Sequence, residues 1–132
     1  MTEVKKTILT VDDDIDILEQ LRFQLEGAGY RVISAGGQEE AMEMLKDASF
    51  DMAILDLMME NMDSGFVLCH HIKKLHPGTP VIILTAVTSE TGMEFDATTH
   101  EERSWVKADI LMDKPVRSEQ LLKEVHKLLN RG

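Results

Sequence analysis

The stretch "FDMAILDL", from Phe50 to Leu57, is an almost unbroken apolar run that closes on a carboxylate, Asp56. A half-exposed strand alternates apolar and polar residues, whereas this one is apolar on both faces. It therefore belongs in the middle of a sheet covered on both sides, the setting of parallel α/β folds. In such a sheet the ligand crevice lies at the carboxyl ends of the strands, near the point where the strand order reverses. Asp56 stands at such an end.

Outward from this strand, apolar runs and helical stripes alternate. Before it, "KTILTV" reads as a strand. "DIDILEQLRFQLEGAGY" follows as a helix, with Ile17, Leu18, Leu21 and Leu25 at helical spacing until Gly27 and Gly29 stop it. "YRVISA" is a second strand, and "GQEEAMEMLKDA" a helix with Ala41, Met44, Leu45 and Ala48 inward. After the central strand, "FVLCHHIKKLH" places Phe66, Cys69, Ile72 and Leu75 near one helical face, and "PGTP" separates it from the strand "VIILTA". A short strand, "DILM", precedes the helix "SEQLLKEVHKLLN", with Ser118 as the expected N-cap. Five strands alternating with helices predict a parallel sheet with helices on both faces. Residues 87–108 carry polar clusters and no sustained apolar stripe, so any helix there is expected to be short, irregular or mobile, with Trp105 as a packing anchor.

At 132 residues the chain reads as a single domain, 1–132, with one core. No apolar run reaches the roughly 18 residues of a membrane span, and the N-terminus lacks the pattern of a secretory signal. One cysteine, Cys69, fits a reducing compartment, and a cytoplasmic location is expected. The net charge of −10 opposes contact with nucleic acid or an anionic membrane. The expected partners are proteins, small phosphates or cations.

Taken strand by strand, the carboxyl ends hold Asp12 and Asp13 after the first strand, Asp56 at the third, Thr85 at the fourth and Lys114 after the fifth. In strand order 2-1-3-4-5 these side chains converge on one edge. Crowded carboxylates raise one another's pKa unless a cation offsets the repulsion. An oxygen-rich site of this size suits Mg²⁺. A carboxylate beside such an ion can attack phosphorus, with a lysine and a hydroxyl steadying the equatorial oxygens. Asp56, Lys114 and Thr85 fit these roles.

"VDDD", "ILDLMMENMDSGF", "VIILTA" and "DKP" occur in the order and approximate spacing of the receiver domain of two-component response regulators, which the chain resembles over nearly its whole length. That resemblance implies a flavodoxin-like, doubly wound five-stranded sheet of order 2-1-3-4-5. It implies that Asp56 accepts a phosphoryl group from a phosphohistidine on a sensor histidine kinase or phosphotransfer protein. Asp13 is implied as a direct Mg²⁺ ligand, Asp12 as one acting directly or through water, and the Met58 carbonyl as another. Thr85 and Lys114 match the family's hydroxyl and lysine, and the bond from Lys114 to Pro115 is often cis in similar proteins. Such a domain is a signalling phospho-acceptor with a downstream protein target, not a metabolic enzyme. Asp14 is read as a helix cap.

The chain departs from the family pattern in four places. Glu60 stands where proline is usual, four residues after the acceptor, and "NMDSG" is one residue longer than the common form. Leu111 replaces the aromatic residue often found three before the lysine, so any conformational response is expected to use parts other than a threonine–aromatic switch. The span from Thr85 to Lys114 is longer than usual and is expected to tune partner choice. Met58 and Val87, two positions after the acceptor and the threonine, cannot hydrogen-bond an attacking water, so a long-lived acyl phosphate is expected. A phosphorylation-independent adaptor or assembly module is the second reading. A phosphatase of the haloacid-dehalogenase type is disfavoured because its nucleophile ends the first strand.

Overall fold

The structure, a computed structural model, describes residues 5–85, 109–114 and 116–130. Five strands, β1 (Thr7–Val11), β2 (Arg31–Ala35), β3 (Met52–Asp56), β4 (Val81–Thr85) and β5 (Ile110–Asp113), form one parallel sheet in the order β2-β1-β3-β4-β5. Four described helices accompany them: α1 (Ile15–Gly27), α2 (Gln38–Met44), α3 (Ser64–Leu75) and α4 (Ser118–Leu129). The predicted strand order is the observed one. The apolar runs explain it, since every residue of β3 and β4 is buried while the edge strands β2 and β5 are partly open.

Side chains alternate between the two faces of each strand. Ile8, Met52, Ile54, Ile82 and Leu84 pack with Leu21 and Leu25 of α1 and with Leu121, Val125 and Leu128 of α4. Leu9, Val11, Ala53, Leu55 and Ile83 pack on the opposite face with Ala41 of α2 and with Leu68, Cys69 and Ile72 of α3. The described helices thus pack on both faces of the sheet and leave the carboxyl ends of its strands to the loops that follow them.

Local signals set both ends of α1. Asp14 is extended and accepts the Asp16 N–H at 2.9 Å, so it caps α1 as expected. At the other end Gly29 has φ 98°, and Gly29 N–H and Tyr30 N–H bond back to the carbonyls of Glu26 and Leu25, a left-handed turn that suits glycine.

Three expectations need correction. Arg117, not Ser118, flanks α4, and it makes no side-chain capping bond; Ser118 is already the first helical residue. The second helix ends at Met44 and passes into a turn before Ala48. Leu75 is 57% exposed, and the buried stripe of α3 is Ser64, Gly65, Leu68, Cys69 and Ile72. The reason is that α3 starts two residues before Phe66, with Gly65 pressed against the end of β3. A Cβ on Gly65 would lie 2.6 Å from the Asp56 carbonyl oxygen, so only glycine fits this approach. The expectations for Val87, Trp105, Pro115 and the 87–108 segment fall outside the described residues.

Candidate functional site

Asp12 leaves β1 with its N–H on the Ala35 carbonyl of β2 at 3.2 Å, which holds it at the sheet edge with 1% exposure. Its Oδ1 accepts the Asp14 N–H at 2.9 Å, and Asp13, between them, is exposed. Asp56 is the last residue of β3 and 7% exposed; it sits opposite Leu84 of β4. Thr85, one residue further along β4, is 2% exposed and pairs with Asp113. The Thr85 carbonyl accepts the Lys114 N–H at 2.9 Å, which turns the chain after β5 back over the same edge.

These elements bring the expected side chains together. Oxygens of Asp12, Asp13 and Asp56 all lie within 4.8 Å of one another. The Lys114 ammonium is 2.7 Å from Asp56 Oδ1 and 3.1 Å from Asp12 Oδ2. Thr85 is set at this edge by strand register, and Met58, 40% exposed, lies in the loop two residues beyond Asp56.

The electrostatics are unbalanced, with three carboxylates facing one ammonium. Burial pushes the Asp56 carboxyl above its usual 3.8, and the charges of Asp12 and Asp13 add to that push; the Lys114 hydrogen bond and charge only partly oppose it. Lys114 behaves differently. Burial pulls its pKa down, but hydrogen bonds and charge from both Asp56 and Asp12 outweigh this and leave it above 10.5. The asymmetry is physical, because the lysine has two opposite charges beside it while Asp56 has one opposite and two like. The donor set is all oxygen and carries surplus negative charge, which fits a small hard divalent cation and not a soft metal.

One site feature had no reading in the sequence beyond a departure from pattern. The Glu60 carboxylate accepts the Gln38 N–H at 2.8 Å and the Glu39 N–H at 3.1 Å, at the start of α2. Its carboxyl is held below the usual 4.5, chiefly by the Gln38 N–H, with burial opposing. The available signal was the pair Gly36–Gly37 before a helix with no side chain of its own to cap it.

A family model of the response regulator receiver domain matches residues 8–126. The chain belongs to this family. Transcriptional regulatory protein ZraR of Escherichia coli is 40% identical over 95 residues, 71% of this chain but 21% of that protein, so the receiver domain spans about a fifth of this relative. Among solved structures, the chemotaxis response regulator CheY4 of Vibrio cholerae has a TM-score of 0.79 at 29% identity and covers 95% of this chain and 99% of its own. The response regulator TrrA of Thermotoga maritima, solved in complex with Mg(2+)-BeF, has a TM-score of 0.75 at 28% identity, covering 93% and 98%. A five-stranded sheet of order 2-1-3-4-5 with a CheY-like fold is common ground for this receiver domain and its neighbours. No described helix is long and apolar enough to cross a membrane.

Proposed function

We propose that this receiver domain, taken as residues 1–132, accepts a phosphoryl group on Asp56 from a phosphohistidine of a sensor kinase or phosphotransfer protein and signals by binding a downstream protein. The observation that carries the reading is the Lys114 ammonium on Asp56 Oδ1 at 2.7 Å, inside a cluster of three carboxylates. Lysine on Oδ1 orients the carboxylate so that Oδ2 attacks phosphorus; the new O–P bond forms as the N–P bond to histidine breaks. Lys114 then steadies a phosphoryl oxygen, and Thr85, at the end of the neighbouring strand, supplies a hydroxyl to another. Mg²⁺, held by Asp13, Asp56 and the Met58 carbonyl with Asp12 direct or through water, would neutralise the remaining charge. Asp12 is already engaged by Lys114 and the Asp14 N–H, which favours the water-mediated role.

Neither Met58 nor Val87 has a side chain that orients water, which supports slow hydrolysis of the acyl phosphate. The chain's charge supports protein partners over nucleic acid for this segment, and a cytoplasmic setting is consistent with its lone cysteine. What a longer relative such as ZraR controls is a property of that protein.

One observation favours the phosphorylation-independent adaptor: Leu111, where similar domains often carry an aromatic switch residue, is 39% exposed on β5. Acetyl phosphate with Mg²⁺, followed by intact mass, separates the two readings. A phosphoryl adduct on the wild type that disappears in Asp56→Ala supports the phospho-acceptor, and no adduct on the wild type favours the adaptor.

A further inference from the structure

The loop 57–63 joins the phospho-acceptor strand to α3, and its own bonds tie it mainly to itself and that helix. Met59 N–H reaches the Asn61 carbonyl at 3.1 Å, Asn61 N–H the Ser64 hydroxyl at 2.9 Å, and Gly65 N–H the Leu57 carbonyl at 2.7 Å. Glu60 reaches out of this unit to the two α2 N–H groups, at 2.8 and 3.1 Å. A carboxylate on free amides at a helix start is a charge-assisted interaction, stronger than a neutral pair.

Gly37 supplies an independent observation. Its backbone is extended (φ 170°, ψ 179°), a conformation any residue adopts, so the glycine is not there for its backbone. It is buried, and a Cβ at this position would lie 2.8 Å from Glu60 Oε2 and 3.1 Å from Glu60 Cδ. The missing side chain makes the seat for the Glu60 carboxylate. In similar domains a proline at this loop position would stiffen the backbone by fixing φ; here, in a loop one residue longer, a side-chain anchor takes that place.

We propose that Glu60 is a positioning residue for phosphorylation of Asp56: seated against Gly37 on the amides of Gln38 and Glu39, it holds the 57–63 loop in the register that presents the Met58 carbonyl beside the carboxylate cluster, and ties α2 to the acceptor. The inference rests on the reading of Asp56 and Met58 given above. Losing the anchor loosens a metal ligand without touching any of the carboxylates, so it weakens Mg²⁺ binding first and the chemistry at saturating Mg²⁺ much less.

The test is a Mg²⁺ titration by amide chemical shifts, paired with the initial rate of adduct formation from acetyl phosphate, on the wild type, Glu60→Ala, Glu60→Gln, Gly37→Ala and the double variant Gly37→Ala/Glu60→Ala. Expected is about tenfold weaker Mg²⁺ binding in Glu60→Ala, partial recovery in Glu60→Gln, which keeps one acceptor oxygen, and near-normal rates once Mg²⁺ saturates. Gly37→Ala should weaken binding in the same direction but by less, because the carboxylate its Cβ meets ends a flexible side chain and shifts aside, and the double variant should be no worse than Glu60→Ala alone, because both changes act on the same contact. Should Glu60→Ala not fold, Gly37→Ala and Glu60→Gln carry the same comparison. Unchanged Mg²⁺ affinity in the folded variants, or additive losses in the double variant, overturns the role of Glu60 while leaving the phospho-acceptor reading intact. A wild type that binds no Mg²⁺ and takes no phosphate overturns both.

Discussion

The Lys114 ammonium lies 2.7 Å from Asp56 Oδ1 and 3.1 Å from Asp12 Oδ2, so carboxylates leaving two different strands share a single cation. Asp12 and Asp56 are both nearly inaccessible to water, and without the lysine they would face each other with little to screen them.

Lys114→Met is therefore expected to lower the stability of the metal-free protein by about 3 kcal/mol, the usual cost of leaving a buried charge without its partner. Urea unfolding in EDTA measures it. A midpoint unchanged from the wild type would mean that the pair adds nothing to the fold.

Asp13→Asn acts in the opposite direction. The raised pKa of Asp56 means that its ionised form is disfavoured in the folded state. Stability from this group is present below pH 3.8 and is lost as pH rises through the folded pKa, so at neutral pH the metal-free site is a burden on the fold. Removing the Asp13 charge takes away one contributor to that push, and the unfolding midpoint in EDTA at pH 7 should rise slightly. The wild type should gain about 2.7 kcal/mol from Mg²⁺ at a hundred times its Kd, and Asp13→Asn should lose most of this gain. Equal Mg²⁺ stabilisation of the two proteins would refute the proposed role of Asp13 as a metal ligand.

The sequence made the carboxylate cluster legible because each member ends or follows an apolar strand, and topology does the rest: once β1 and β3 are neighbours, Asp12 and Asp56 must meet. Asp14 was legible as a cap for a similarly local reason. The register of α3 was not, because its first buried residues are Ser64 and Gly65, which are inside through close backbone approach and not through hydrophobicity. Leu75 followed the apolar pattern and stayed outside because the helix ends there. Glu60 was hidden for a further reason: its partners are backbone amides 21 and 22 residues away, and an amide leaves no mark in the side-chain sequence.

Gly65→Ala tests the close backbone approach at Asp56. The added methyl would meet the Asp56 carbonyl oxygen at 2.6 Å and the Leu57 Cα at 2.7 Å, both backbone atoms that cannot swing aside. Destabilisation of about 1–3 kcal/mol is expected, together with slower phosphorylation, because the atom displaced belongs to Asp56, the acceptor proposed above. Gly78→Ala is the control, since a Cβ there meets nothing within 4 Å and its effect should stay within about 0.5 kcal/mol. Thermal unfolding and adduct formation on both variants give the comparison, and equal behaviour of the two would refute the steric account.

Cys69 is fully buried on the inner face of α3, and burial pushes its thiol from 9.0 up to about 11; nearby Lys73 pulls the other way and Asp109 adds a smaller rise. The reactive species is the thiolate, so alkylation by iodoacetamide at pH 8 should be negligible in the folded protein and rapid in urea. The same shift fixes a stability window. Because the folded pKa is raised, the contribution is complete below pH 9.0 and disappears as pH climbs to about 11, where the unfolded chain gains a solvated thiolate that the folded one resists. Cys69→Ala should lower stability at every pH by leaving a small cavity, yet flatten the decline across that window. Unfolding curves at pH 8, 9 and 10 decide it: parallel losses in the wild type and the variant would show that the thiol does not titrate with folding.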